Sequence, residues 1–151
     1  MLVYFGENTS IVKAKALVDE MFGPKRQMLI DAILDRKKFD FSTAPASELA
    51  MMITKYWDVY KTEIVLYKTK WPWSKTLAYC KDEKRIYLNS RKLNRSIESI
   101  AGTIAHELVH AADNAYPNIR CGHGSNDAHN KDGSFPYWFG YYVANILRKG
   151  K

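Results

Sequence analysis

The stretch that begins at Ser96 constrains the fold of this chain more than any other part of its sequence. Apolar or small residues recur three and four positions apart along it, which is the period of an α-helix with a buried stripe. They are Ile97, Ile100, Ala101, Ile104, Ala105, Leu108, Ala111, Ala112 and Ala115. Pro117 disfavours a helical conformation at Tyr116, so the pattern predicts one long helix that ends there.

The same helix carries the motif His106-Glu-Leu-Val-His110. At about 100° per residue, the two histidines project within about 40° of each other and nearly opposite the apolar stripe. Imidazole nitrogens one turn apart can bind one tetrahedral zinc ion at about 2.0–2.1 Å, and zinc with an open fourth position activates water for hydrolysis. The spacing therefore predicts His106 and His110 as metal ligands and Glu107 as the base that takes a proton from the attacking water.

A third ligand is expected downstream, because all four histidines follow residue 105. No glutamate follows Glu107, which excludes the gluzincin ligand set. The metzincin set fails because it needs glycine and histidine where Asp113 and Tyr116 stand. We predict His123 as the third ligand, since its two neighbouring glycines let the backbone approach the ion closely. The other candidates are His129, which ranks second, and Asp113, Asp127 and Asp132.

Two other interpretations fit the same residues. A structural zinc ion would take a fourth protein ligand, such as His129 or Cys121, and would leave Glu107 dispensable. The net charge of +7 and the pI near 9.3 favour an anionic partner such as nucleic acid, although a solvated basic surface explains the dispersed lysines and arginines equally well. The alternative function is thus a non-catalytic, zinc-stabilised domain that binds nucleic acid or another partner.

The rest of the chain predicts a mixture of helices and strands. The first forty residues are expected to be helical, with Thr9 or Ser10 capping one helix and a second helix over residues 25–37. Ser47 is the expected cap of a third helix, and a last helix is expected to begin near Pro136. Strands are predicted at residues 63–68, 76–80 and 85–89, the last two as a hairpin. Trp71-Pro-Trp73 is a predicted loop, because proline supplies no donor to a strand ladder.

Several aromatic side chains are candidates for stacking on nucleic-acid bases. They are Trp57, Tyr60, Trp71, Trp73, Tyr137 and Trp138. At helical spacing we expect most of them to pack in the core, whereas Trp71 and Trp73 lie on the predicted loop and are the pair to test. Tyr116 and Tyr137 are both candidates to donate a hydrogen bond to a developing oxyanion.

These elements indicate an α+β fold in one domain, as expected for 151 residues with 46% hydrophobic content. The expected order is N-terminal helices, a small antiparallel or mixed sheet, the histidine-bearing helix, a loop with the third ligand and a closing helix. The two cysteines form no CxxC pair and are expected to be free thiols. No stretch is apolar enough for a membrane span or a secretory signal, so we expect a cytoplasmic protein, most simply a monomer.

The run Thr103-Ile-Ala-His-Glu-Leu-Val-His-Ala111, followed by Cys121-Gly-His-Gly124 and Phe135, resembles the SprT-like zinc metallopeptidases, which include the Spartan-type DNA-dependent proteases. Arg85-Ile-Tyr-Leu-Asn-Ser-Arg-Lys-Leu93 fits the strand and linker that precede the zinc helix in that family. The resemblance covers residues 76–139 and is most specific at the helix. The paired CxxC motifs of a C-terminal zinc ribbon, which some members carry, do not occur in this sequence.

The resemblance implies a zincin-like minimal metallopeptidase fold, and we expect residues 1–151 to form a single domain of this kind, although the N-terminal helices match no part of the family pattern. This domain divides into a helical extension at 1–45 and a metallopeptidase core at 46–151. The resemblance implies one zinc ion bound by His106, His110 and His123, with Glu107 as the catalytic residue. The implied activity is that of a zinc metalloendopeptidase on protein or peptide substrates, and the Spartan-type members imply nucleic acid as a further partner.

Overall fold

The computed structural model describes residues 1–124 and 133–149, and within these ranges the chain forms five α-helices and a four-stranded mixed sheet. The helices are α1 (Thr9–Phe22), α2 (Arg26–Arg36), α3 (Ala46–Val59), α4 (Ile97–Ala115) and α5 (Phe135–Lys149). The strands are β1 (Leu2–Val3), β2 (Thr62–Tyr67), β3 (Ala78–Cys80) and β4 (Arg85–Asn89). The predicted α+β class is confirmed. No helix in the described ranges is long and apolar enough to cross a membrane.

The sheet has the strand order β1-β2-β4-β3. β1 and β4 both run parallel to β2, and β3 runs antiparallel to β4, so the predicted hairpin is confirmed. Ile64, Ile86 and Leu88 point from one face of the sheet into the core, while Tyr79 and Tyr87 lie half-buried on the other face. β1 and β3 are the two edge strands, and β3 packs beside α4.

The prediction that the first forty residues are helical is wrong at Leu2 and Val3, which form β1. Leu2 is buried and lies opposite Thr62 in a parallel pairing with β2. A two-residue strand has no periodicity of its own, and its partner is distant in the sequence, so no local pattern indicates it.

Two helix starts also differ from the predicted ones. Asn8, rather than Thr9 or Ser10, caps α1, and its side-chain oxygen accepts a hydrogen bond from the Ile11 amide at 3.2 Å. α3 follows Pro45 and has no side-chain cap, so Ser47 lies inside its first turn. Asparagine caps a helix as well as serine does, and the fixed φ of proline suits a helix start. Where several such residues follow one another, the sequence does not determine which of them precedes the first helical residue.

α4 lies at the centre of the fold, in contact with α1, α3, α5 and the sheet. Its Ser96 cap accepts a hydrogen bond from the Ser99 amide. Ile104 and Leu108 are buried as predicted, whereas Ile97 at the start of the helix is only half-buried. α5 crosses α4 next to His106, so the histidine side of the helix is partly covered.

Most of the aromatic side chains pack in the core as predicted. Trp57 stacks on Phe22 with ring centres 4.2 Å apart and an angle of 6° between the planes. Tyr60 stacks on Tyr56, and Trp138 meets Phe39 edge to face. The first contact joins α1 to α3, and the last joins α5 to the segment between α2 and α3.

Candidate metal centre

His106 and His110 lie one turn apart on α4, and their Nε2 atoms are 3.2 Å apart. Two ligands of a tetrahedral zinc ion with bonds of about 2.0–2.1 Å are separated by about 3.3 Å. Both residues lie well inside α4, where the backbone is held by its own hydrogen bonds. The helix alone therefore sets the distance that two zinc ligands require.

His123 reaches the same point from the segment that follows α4. Its ring centre lies 5.5 Å from that of His106 and 5.0 Å from that of His110. The ligand nitrogens of all three histidines lie within 4.8 Å of one another. Gly124 has a φ of 70°, a conformation that favours glycine and turns the chain directly after His123. The structure thus brings together the three histidines that the sequence predicts as ligands.

The segment that carries His123 is tied to α4 by Asp113. Asp113 Oδ1 accepts a hydrogen bond from the Cys121 amide at 3.1 Å, and Cys121 also forms an isolated antiparallel bridge with Ser42. Asp113, a candidate ligand in the sequence, is not part of the cluster of nitrogens and instead holds the loop that presents His123. The remaining candidates, Asp127, His129 and Asp132, lie outside the described residues.

Glu107 adjoins His106 on α4 and is only 7% exposed. Burial raises the pKa of its carboxyl group from an ordinary 4.5 to about 7. On the edge strand, burial raises the pKa of Cys80, and the nearby Glu107 carboxylate raises it further. Glu107 therefore lies near Cys80 of β3. A carboxyl group whose pKa is close to neutrality can both accept and return a proton.

Burial lowers the pKa of the His110 imidazole, because it disfavours the charged form. Its pKa falls to about 4, chiefly through burial and further through the neighbouring His123. His110 is therefore neutral at pH 7, the form in which an imidazole nitrogen can bind a metal ion. Zinc prefers such nitrogen ligands, so the convergent imidazoles fit a zinc ion.

Cysteine takes no part in this cluster. Both Cys80 and Cys121 are free thiols, as the sequence predicts, and burial raises the pKa of Cys121 so that its thiol stays neutral. Within residues 1–124 and 133–149, the candidate metal ligands that converge are the three histidines alone.

Tyr137, the third residue of α5, forms one wall of the cluster. Its ring centre lies 4.6 Å from that of His106 and 5.1 Å from that of His123, and both contacts are nearly perpendicular. Tyr116, the other tyrosine considered in the sequence, instead packs edge to face on Tyr60. The structure therefore places Tyr137, and not Tyr116, beside the histidines.

Sequence reasoning missed the pair of residues that brings α5 to this position. Gly102 on α4 and Gly140 on α5 meet at the helix crossing, and Gly140 lies next to the Cβ of His106. A glycine inside a helical pattern is a signal of close approach by another segment. Gly102 and Gly140 both lie within predicted helices, but the sequence does not show that these two helices pack against each other.

Comparison of the chain with protein-family models, with curated proteins and with solved structures finds no match.

Proposed function

We propose that this protein is a zinc-dependent metallopeptidase that hydrolyses peptide bonds in protein or peptide substrates. His106, His110 and His123 would hold one zinc ion. The observation that carries the proposal is the convergence of these three imidazoles at the helix that also carries Glu107, a buried carboxyl group next to His106 in the sequence. When bound, zinc supplies polarisation of the scissile carbonyl and makes a water molecule more acidic.

The protein residues account for the proton transfers of such a hydrolysis. A Glu107 carboxylate oxygen accepts a proton from water as the new bond between oxygen and the carbonyl carbon forms. It then gives this proton to the amine nitrogen as the carbon–nitrogen bond breaks. One carboxyl group can make both transfers because it accepts the proton as a carboxylate and returns it as a carboxylic acid. Tyr137, whose ring adjoins two of the ligands, is the candidate donor to the oxyanion.

β3 is the candidate strand for binding an extended substrate. It is an edge strand of the sheet, it packs beside α4, and its Cys80 lies near Glu107. An extended peptide can add to such an edge through main-chain hydrogen bonds, which gives affinity with little dependence on sequence. A complex with a substrate analogue that lacks strand-like pairing to β3 would contradict this part of the proposal.

The resemblance to SprT-like metallopeptidases supports the same function. On this proposal the α+β fold is a zincin-like minimal metallopeptidase domain acting in the cytoplasm. Residues 1–45 are its extension and residues 46–151 its core. β1 joins the sheet and α1 packs on α4, so the extension contributes directly to the surroundings of the zinc helix.

A cleavage assay on a fluorescein-labelled unfolded protein tests the proposal. We expect zinc-loaded wild type to release labelled peptides, and Glu107→Gln to bind zinc but lose at least about 100-fold in kcat. Glu48→Gln, at an exposed position of α3, is the matched control and should keep wild-type activity. Zinc-loaded wild type without activity, or Glu107→Gln with full activity, would favour a non-catalytic zinc-stabilised domain instead.

A further inference from the structure

The loop between β2 and β3 displays two tryptophans to solvent. Trp71 is 53% exposed and Trp73 is 72% exposed. Their rings stack on each other with centres 5.1 Å apart and an angle of 24° between the planes. Two large rings side by side in water form an apolar patch of the kind that marks a binding surface.

Hydrogen bonds hold this loop in place at both ends. The side-chain amide of Asn89, a fully buried residue, donates to Thr69 Oγ1 at 3.3 Å and to the Thr76 carbonyl at 2.9 Å. Arg91 Nε donates to the Thr69 carbonyl at 3.2 Å. The two tryptophans are thus presented from a loop anchored to the end of β4, which lowers the entropy lost when a ligand binds.

The same contacts bring together two basic segments that are separate in the sequence. Residues 68–77 and 90–95 contain six lysines and arginines and no aspartate or glutamate: Lys68, Lys70, Lys75, Arg91, Lys92 and Arg95. Arg95 is turned towards α4, where it donates to Thr103 Oγ1 at 2.7 Å. Lys70 lies over the Trp71 ring, with Nζ 5.4 Å from the ring centre. We call these two segments the aromatic–basic surface.

A row of tyrosines continues from this surface across the sheet. Tyr67 directly precedes the loop and meets Tyr79 with ring centres 4.9 Å apart, and Tyr79 stacks on Tyr87 at 4.8 Å. Lys81 Nζ lies 5.6 Å from the centre of the Tyr79 ring. The pair of Lys81 and Tyr79 thus repeats the combination of an ammonium group and an aromatic ring found at Lys70 and Trp71.

We propose that the aromatic–basic surface binds single-stranded nucleic acid, with unpaired bases stacking on Trp71 and Trp73 and the lysines contacting phosphates. Exposed aromatic faces suit bases of any identity, and adjacent cations release counterions from the phosphate backbone. A duplex keeps its bases stacked inside and offers no free face to the rings. The proposed surface includes neither the histidines nor Glu107, so its test is independent of the test of the peptidase function.

Fluorescence anisotropy with a labelled oligothymidylate of about 15 nucleotides tests the proposal. We expect Trp71→Ala/Trp73→Ala to weaken binding by about 10-fold to 100-fold, since base stacking contributes about 1–3 kcal/mol per base. Phe5→Ala is the matched control, because Phe5 is 78% exposed and also has a lysine, Lys61, over its ring. It should leave the affinity unchanged.

The lysines provide a second measurement on the same complex. Lys70→Ala/Lys75→Ala should reduce the slope of log affinity against log salt by about 1 to 2, whereas Lys13→Ala, at an exposed position of α1, should not. Wild-type affinity in the double tryptophan variant would overturn the proposal, as would equal affinity for a duplex of the same length. Tryptophan-dependent binding to phosphatidylserine vesicles without oligonucleotide binding would overturn it in favour of a membrane surface.

Discussion

Gly102 on α4 and Gly140 on α5 meet backbone to backbone where the two helices cross. A Cβ added at Gly102 would lie 2.6 Å from the Gly140 carbonyl oxygen, and one added at Gly140 would lie 2.7 Å from the Gly102 carbonyl oxygen. The Cβ at Gly140 would also lie 3.2 Å from the Cβ of His106. The glycine pair therefore determines how closely α5 approaches the histidines and where Tyr137, one turn earlier, is placed.

We expect Gly140→Ala to lower the free energy of unfolding by about 1–3 kcal/mol, because the added methyl group overpacks the crossing. On an uncrowded helix the same change stabilises by up to about 1 kcal/mol, so the sign of the effect reports on the crossing. Urea denaturation of the zinc-free protein measures it. Asn145→Ala, at an exposed position of α5, is the control and should not destabilise. A Gly140→Ala protein more stable than wild type would contradict the close crossing.

The ring of Tyr137 should contribute to zinc affinity, and its hydroxyl group should contribute to kcat. We expect Tyr137→Ala to weaken zinc affinity about 10-fold, since groups that orient metal ligands typically contribute 10–100-fold. Tyr137→Phe keeps the ring against His106 and His123 and should keep the wild-type affinity, while kcat falls about 100-fold through loss of the oxyanion donor. Competition with a fluorescent zinc chelator gives the affinity. Equal loss of zinc in both variants would show that the ring is not what positions the ligands.

Asp113 is expected to act by holding the His123 loop rather than by binding zinc. Asp113→Asn keeps an oxygen that can accept from the Cys121 amide, so its zinc affinity should stay within a few-fold of wild type. Asp113→Ala removes the acceptor and should weaken zinc affinity by about 10-fold or more. Isothermal titration with zinc distinguishes the two. Comparable, complete loss of binding in both variants would indicate that Asp113 is a ligand.

The sequence predicts the parts of this molecule that depend on local spacing. The periodicity of α4, the hairpin of β3 and β4 and the one-turn separation of His106 and His110 all follow from residues close together in the chain. The grouping of His123 with them was inferred from composition and from its neighbouring glycines. In the structure the three nitrogens do converge within 4.8 Å.

The parts that could not be predicted depend on contacts between distant segments. β1 is two residues long and pairs with a strand far along the chain. Tyr137 and Tyr116 are indistinguishable as candidates until the crossing of α4 and α5 places one of them beside the histidines. The basic residues are dispersed in the sequence, and the pairing of β2 with β4, together with the hydrogen bonds of Asn89 and Arg91, brings two of the segments together.

Burial of Glu107 should make the stability of the zinc-free protein depend on pH. Its pKa rises from 4.5 to about 7 in the folded state, so this stabilising contribution is complete below pH 4.5 and is lost as the pH rises through 7. Glu107→Gln stays neutral throughout. At about pH 8 we expect its free energy of unfolding to exceed that of wild type by about 3 kcal/mol, and near pH 4 we expect the two to be similar.

Chemical denaturation of the zinc-free proteins at both pH values measures this difference. Glu7→Gln, at an exposed position before α1, is the control and should follow wild type at each pH. If the free energies of unfolding of Glu107→Gln and wild type differ by the same amount at both pH values, the carboxyl group has the same pKa in the folded and unfolded states, which contradicts the prediction.

The zinc content of the purified protein, measured by elemental mass spectrometry, tests the three-histidine centre most directly. We predict about one zinc ion per chain in wild type and its loss in His110→Ala and His123→Ala. His129→Ala is the matched control and should retain the metal. Zinc retained in His123→Ala but lost in His129→Ala would contradict the assignment of the third ligand. Wild type without zinc after reconstitution would contradict the metal centre itself.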